Sequence, residues 1–328
     1  MNALHTLLEP KIGHLDILQT PTRNGFGKGL VAAGTKDPRV VALTADLKDS
    51  TKVADFAKAF PERFVEVGVA EQNMMGMAAG LALSGKIPFV SSYATFSPGR
   101  NWDQLRVSVC YSQANVKVIG CHTGLSVGPD GATHQALEDI ALVRVLPHMT
   151  VVVPCDAVQA EQATRALAEH VGPAYLRLTR EATPHIVTDQ LPFEIGKAQV
   201  WREGDDVAII GAGPILYNAL FAAAVLAGEG IQCAIINSHT IKPLDADTIL
   251  AAVRRCKAVV TVEEHQMVGG LGSAVAELLG EACPVPLERV GMPDSFGESG
   301  APEELFQKYG MDGPAVVKAV RRALARKL

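Results

Sequence analysis

Short runs of β-branched and apolar residues alternate along this chain with longer stretches of helical period. That alternation is the mark of a parallel sheet covered by helices. Strands are expected at Val40–Thr44, Val116–Gly120, Val151–Val153 and Ala174–Leu178. After a break they resume at Val207–Ile210, Ala234–Asn237, Val259–Val262 and an extended stretch, Pro286–Val290. Helices are expected between them, for example Glu71–Leu83, Ala157–Glu169, Ile215–Ala227 and Pro314–Arg326. The alternation stops once, in the Pro-bearing stretch from Thr183 to Lys197, with an α/β set on either side. That stretch is the expected domain boundary. At 328 residues the chain exceeds the usual size of one core, which agrees with two domains.

Composition narrows the function classes. A formal charge of −5 leaves no basic footprint for nucleic acid or anionic lipid. Apolar runs are broken by charge, Gly or Pro well before membrane-spanning length. The N-terminal MNALHTLLEPKIGH has no basic leader and carries Glu9 in its apolar run, so it does not read as a secretory signal. The six cysteines show no ligand-like spacing and read as buried thiols of a cytoplasmic protein, with no metal site on this chain.

One motif is set aside. Gly211-Ala-Gly213-Pro-Ile-Leu216 follows a strand and opens a helix, as a dinucleotide-binding turn would. Leu216 stands where a third glycine would be needed, and the next strand ends in Asn237-Ser238-His239 rather than an acid. A structural turn is the better reading.

The chemistry gathers elsewhere. In Gly68-Val-Ala-Glu71-Gln-Asn-Met-Met-Gly76 a carboxylate sits where an extended segment, Phe64–Val69, passes into a helix of small and apolar residues. The ionised form is disfavoured in such a place unless a cation or hydrogen-bond donor compensates. A first-turn acid also stabilises a helix start, so Glu71 alone does not define a site. Ser91-Ser-Tyr93-Ala-Thr-Phe96-Ser-Pro-Gly-Arg100 concentrates aromatics in a chain that is only 5% aromatic. They either plug a core or form a flat wall for a planar ring. Cys121-His122-Thr-Gly124 through Asp130, Gly131 and His134 is a polar, glycine-rich loop at the C-terminal end of a strand, the edge where open α/β sheets bind ligands. Arg23, Ser50, Arg177 and Arg180 are dispersed cations and a hydroxyl at element ends, of the types that hold an anionic group such as phosphate.

Together these stretches resemble the transketolase family of thiamine diphosphate enzymes. The resemblance runs from PTRNGFGKGL at Pro21 through TADLKDS, GVAEQNM, YATFSPGR, HTGLSVGPDGATHQ and LRLTR to NSHTIKPLD and VEEHQMVGGLGSA. It implies two doubly wound α/β domains: a pyrimidine-binding domain over residues 14–190 and the family's C-terminal domain over 191–328. The Gly-Asp-Gly segment that holds metal and diphosphate in that family does not occur in this sequence. The chain therefore looks like the C-terminal subunit of a split transketolase. Its partner would be an N-terminal subunit bearing the diphosphate-binding domain and the ligands for Mg2+ or Ca2+, with two copies of each chain.

The resemblance also implies roles. Glu71 matches the glutamate that hydrogen-bonds N1′ of the aminopyrimidine, and Phe96 the residue stacked on that ring, with Tyr93 beside it. His134 and Asp130 match residues that meet the sugar hydroxyls near the reacting carbons, and His134 is counted with Glu71 as catalytic. Arg23, Ser50, His122 and Arg180 match the set that grips the distal phosphate of the acceptor. Arg100 and Arg177 receive no role. The implied reaction moves a two-carbon ketol unit from a ketose phosphate to an aldose phosphate. The C-terminal part of a 1-deoxyxylulose-5-phosphate synthase-like or 2-oxo acid dehydrogenase-like enzyme is an alternative, as is a non-enzymatic ligand-binding or regulatory module on the same fold.

Overall fold

The computed structural model describes residues 7–327. Part of the N-terminal segment considered above as a possible leader therefore lies outside the described residues. In chain order the first strands are β1 (Gln19–Pro21), β2 (Val40–Thr44), β3 (Phe64–Glu66), β4 (Ile87–Tyr93), β5 (Lys117–Cys121), β6 (Thr150–Val152), β7 (Ala174–Arg177) and β8 (Ala182–Pro184). They are followed by β9 (Gln199–Arg202), β10 (Val207–Gly211), β11 (Cys233–Asn237), β12 (Thr240–Lys242), β13 (Val259–Gln266) and β14 (Leu287–Met292).

A seven-stranded sheet has the order β12-β6-β7-β5-β4-β2-β3, and a five-stranded sheet the order β14-β13-β10-β11-β9. Both are parallel except at one edge, where β12 and β9 run antiparallel to their neighbours. The central strands β2, β5, β7, β10 and β11 are buried along their whole length, which suits sheets covered by helices on both faces. β1 and β8 form a separate antiparallel pair.

The two sheets are not independent. β12, from the second half of the chain, pairs with β6 in the register Thr240 to Val152 and completes the edge of the first sheet. One apolar core also runs without a break from Val41, Val90 and Val118 through Met149 and Val153 to Ala208, Ile210 and Ile236. Gln159, Gln199 and Asn237 close the seam with mutual side-chain hydrogen bonds of 3.0–3.2 Å.

Two helices show how the sequence positions the site. Thr22–Lys36 packs against Ala157–Glu169, whose N-terminus is capped by Asp156 through its Oδ1 and the Gln159 N–H at 2.8 Å. The approach is so close that a Cβ on Gly25 would fall 1.9 Å from the Ala157 carbonyl oxygen. Glycine there lets the helix lie down with Phe26 and Leu30 in the core, and Arg23 in its first turn reaches the C-terminal edge of the first sheet. The Gly211–Leu216 turn is packed shut: Leu216 is fully buried, and a Cβ on Gly211 would stand 2.6 Å from its Cδ2. All six cysteines are free thiols, five of them buried and Cys283 half-buried. Among the described residues no helix is long and apolar enough to cross a membrane.

Candidate active site

The singled-out residues of the first half meet at the C-terminal edge of the seven-stranded sheet. Glu71 opens the Glu71–Leu83 helix that follows β3, and its side chain is only 2% exposed. The compensating cation is Arg100, whose Nη1 donates to Glu71 Oε2 at 3.2 Å. That is the only hydrogen bond to the Glu71 carboxylate among the described residues. Asn101 fixes the main chain below it, donating from Nδ2 to the Glu71 carbonyl oxygen at 3.2 Å.

Arg100 also links the acid to the aromatic group. Its guanidinium carbon lies 4.6 Å from the centre of the Phe96 ring, within cation–π range. Tyr93, at the end of β4, stacks on Phe96 with ring centres 5.9 Å apart, and His134 stands edge-on to Phe96 at 5.6 Å. The Tyr93 ring then covers His122 at 3.9 Å. A continuous row of side chains thus runs from a buried carboxylate through Arg100, Phe96 and Tyr93 to a buried imidazole.

Beyond that imidazole lies the cationic end. His122 holds a left-handed backbone with φ of 55° and is itself 2% exposed. Burial, reinforced by the nearby charges of Arg23 and Arg180, pushes its imidazole down to about 3, so it is neutral at ordinary pH. Arg23 Nη1 lies 3.4 Å from His122 Nε2 and donates to the Ser50 carbonyl oxygen at 2.8 Å. A guanidinium can only donate, so Nε2 is the acceptor and Nδ1 carries the ring proton. His122 Nδ1 and Arg23 Nε are both buried without a partner, donors that the fold itself leaves free. Arg180 Nη1 donates to the Val127 carbonyl oxygen at 3.0 Å and lies 3.3 Å from Asp130 Oδ2.

For three residues the geometry adds to the sequence expectations or departs from them. Ser50 reaches this cluster through its main-chain carbonyl rather than its hydroxyl. Arg100, left without a role, is the cation that compensates Glu71. Arg177 is away from the cationic end and wholly committed to the fold. It pairs with buried Asp139 at 2.8 Å and donates to the carbonyl oxygens of Ala136 and Glu264 at 3.1 and 2.9 Å. A concavity lined by Lys36, Asp37, Arg39, Asn115, Arg165 and His170 lies at the opposite, N-terminal edge of the strands, where none of the singled-out groups is found.

Glu264 and Gln135 carry no role from the sequence, although both lie within the motifs that mark the resemblance. The signal for Glu264 is two adjacent carboxylates and a histidine in a strand that opens on four β-branched residues, VVTVEEHQ. Among the described residues no cluster of three or more His, Cys, Asp or Glu could hold a metal ion.

Comparison with known proteins gives this geometry a family. Residues 19–185 match the pyrimidine-binding domain of transketolase and residues 196–316 the transketolase C-terminal domain. The chain is 44% identical to the 6-deoxy-6-sulfo-D-fructose transketolase subunit SqwH of Clostridium sp. (strain MSTE9), over 91% of this chain and 92% of that protein. It is 40% identical to an apulose-4-phosphate transketolase subunit of Phocaeicola vulgatus, over 90% of this chain and 95% of that one. A solved structure described as a split gene transketolase, inactive beta4 tetramer, superimposes with a TM-score of 0.89 at 47% identity, covering 94% of this chain and 99% of its own. The transketolase of Campylobacter jejuni shares the fold, with a TM-score of 0.79 at 21% identity over 97% of this chain and 50% of its own. The chain therefore belongs to the transketolase family of thiamine diphosphate-dependent enzymes, as a split-transketolase-like subunit built from that family's pyrimidine-binding and C-terminal domains.

Proposed function

We propose that this chain, joined to a separately encoded N-terminal subunit, transfers a two-carbon ketol unit between anionic sugars. The observation that carries this reading is the row from Glu71 to Arg23. A buried carboxylate with one protein hydrogen bond, two aromatic faces and a neutral imidazole lead to two unpartnered donors. The Glu71 end suits the pyrimidine half of thiamine diphosphate, since a weakly solvated carboxyl is suited to sharing a proton with a ring nitrogen. When bound, the cofactor supplies the carbon nucleophile for ketol transfer.

The chain's own residues then divide the work. Glu71 would hold the proton at N1′ of the aminopyrimidine, with Arg100 fixing the carboxyl in place. Phe96 and Tyr93 would present apolar faces to the ring and exclude water. His134 and Asp130 would meet the sugar hydroxyls. Arg23, His122 and Arg180, with the Ser50 carbonyl orienting Arg23, would hold the far anionic group of the substrate. Arginine suits phosphate or sulfonate through forked hydrogen bonds. The names of the relatives, one a sulfosugar and one a sugar-phosphate transketolase, make both groups reasonable ends for the substrate. On this reading the two functional domains, residues 14–190 and 191–328, divide near residue 190. Mg2+ or Ca2+ and the cofactor's diphosphate are assigned to the partner subunit, in a cytoplasmic assembly of two copies of each chain.

The test is reconstitution. The purified chain alone should show no ketol transfer. Adding an N-terminal transketolase subunit, thiamine diphosphate and Mg2+ should give transfer from a phosphorylated or sulfonated ketose to an aldose phosphate. Robust transfer by the single chain would sink the split-subunit reading. Turnover of pyruvate with glyceraldehyde 3-phosphate, without ketol transfer, would favour a synthase of the 1-deoxyxylulose-5-phosphate type, a family also represented among the relatives at 38% identity.

A further inference from the structure

The loop that carries His122, Asp130 and His134 has an irregular backbone. Gly124, Gly128 and Gly131 all have left-handed φ, at 82°, 71° and 75°. Residues of the first domain hold it at three points. Thr123 donates its N–H to the Leu178 carbonyl oxygen at 3.2 Å, Gly124 its N–H to that of Ala136 at 2.7 Å, and Arg180 reaches Val127.

Further ties come from the second domain. Glu264, on β13, is 4% exposed, and its Oε1 accepts the Ser126 N–H at 2.6 Å. A Cβ on Gly124 would fall 2.2 Å from that oxygen, so the carboxylate approaches the loop more closely than any side chain at 124 would permit. Gln135, also buried, donates from Nε2 to the Glu298 carbonyl oxygen at 2.9 Å and to those of Leu125 and Gly128 at 3.3 Å. Arg177, pinned by Asp139, holds the main chain of Glu264 itself. A carboxylate is costly to bury unless hydrogen-bonded, and here its side chain is bonded to the loop.

We infer that Glu264 is a positioning residue. It fixes the backbone of the Gly124–Gln135 loop, and through it His122, Asp130 and His134, so that the C-terminal domain governs how the sugar and its anionic end are held. The inference rests on the roles proposed above for those three residues. Glu264 does not touch the reacting atoms.

Amide hydrogen exchange of the purified chain tests the tie without substrate, cofactor or partner. In Glu264→Ala the amides of residues 124–135 should exchange on the order of ten times faster or more, the scale of one lost charge-assisted hydrogen bond, while those of β4 and β5 stay protected. Glu264→Gln should restore protection, because an amide oxygen accepts the same N–H. In the reconstituted enzyme, Glu264→Ala should raise KM for a phosphorylated or sulfonated acceptor on the order of tenfold and leave C2–H exchange of the cofactor, which the loop does not govern, within about twofold. A folded Glu264→Ala chain with unchanged loop exchange, or one whose exchange rises equally everywhere, would overturn the inference. So would an unchanged KM, or a loss of C2–H exchange as large as the loss in KM. Should Glu264→Ala fail to fold, Gln135→Met cuts the other tie and must give the same local pattern. If no wild-type ketol transfer is found at all, the functional reading fails while the exchange result still decides whether Glu264 holds the loop.

Discussion

At the C-terminal edge of the first sheet, the Glu71 carboxylate has one protein hydrogen bond, and His122 Nδ1 and Arg23 Nε have none. At the same edge of the second sheet, Glu263 and His265 are equally buried but fully engaged. The Glu263 oxygens accept the N–H groups of Leu271 and Gly272 at 2.7 Å each, at the start of the Leu271–Ala282 helix. His265 Nδ1 donates to the Gln266 carbonyl oxygen at 2.8 Å, and its Nε2 accepts the Ala141 N–H at 3.3 Å. Asn237 Oδ1 and His239 Nε2 are unpartnered there, yet both side chains are fully buried. The glycine turn of this second edge is closed by Leu216. Both edges occupy the position where α/β sheets bind ligands. What separates them is the state of their ionisable groups: carboxylate, imidazole and guanidinium keep hydrogen-bonding capacity free in the first, whereas the carboxylate and imidazole of Glu263 and His265 are consumed by the fold in the second.

The comparison breaks most sharply at Glu71. Glu71→Gln keeps the size but cannot pass a proton to or from a ring nitrogen, and losing a positioned proton-transfer group costs on the order of 100- to 10,000-fold in rate. C2–H exchange of the cofactor in the assembled complex reads this directly. An unchanged exchange rate would remove Glu71 from activation and with it the contrast between the edges.

Next in size is the cationic end. Arg180→Ala, and more mildly His122→Ala, should raise KM for a phosphorylated acceptor on the order of 10- to 100-fold through loss of charge-assisted hydrogen bonds. Cofactor activation should be intact and glycolaldehyde turnover nearly normal. Equal losses with both acceptors would make these residues as structural as Glu263.

The second edge should answer in stability and not in chemistry. Gly211→Ala forces a Cβ against Leu216 and should destabilise the chain by about 1–3 kcal/mol in urea unfolding. C2–H exchange in the complex should be unchanged; a matching loss of cofactor activation would show that this turn, too, serves the site.

The smallest effect is a pH dependence. Burial raises the Glu263 carboxyl from its ordinary 4.5 to about 7, although the Leu271 and Gly272 N–H groups oppose the rise. Between those values the folded chain keeps a proton that the unfolded chain has released. This contribution is therefore complete below the ordinary carboxylate range and is lost as pH rises through about 7. Burial holds nearby His265 down at about 4, so it is neutral through most of the window. Urea unfolding from about pH 5 to pH 8 should show Glu263→Gln losing on the order of 1–2 kcal/mol of that slope relative to the parent. Parallel pH profiles would show that Glu263 titrates normally.

The parts of the fold legible in the sequence are those governed by local pattern. Val40–Thr44, Glu71–Leu83 and Ala157–Glu169 form with the expected bounds. A strand buried on both faces is a continuous apolar run, and a helix with one buried face has a period of its own. The strands that no such pattern marks, β1, β8, β9 and β12, are three or four residues long, and each pairs antiparallel with a partner distant in sequence or across a long connection. Nothing in Thr240-Ile-Lys242 announces Val151 and Val152 as its neighbours.

The sequence by itself determined the α/β architecture, the family resemblance and the residue types from which the site is built, because apolar periodicity and motif order are written along the chain. Only the tertiary structure decided what those residues do to one another. It set Arg100 on Glu71 across 29 positions, used the Ser50 carbonyl in place of its hydroxyl, and withdrew Arg177 into a pair with Asp139. It also brought Glu264 to Ser126 across 138 positions. Buried charges and hydrogen bonds depend on distance, direction and exclusion of water, and these are properties of the packed chain that no spacing along it records.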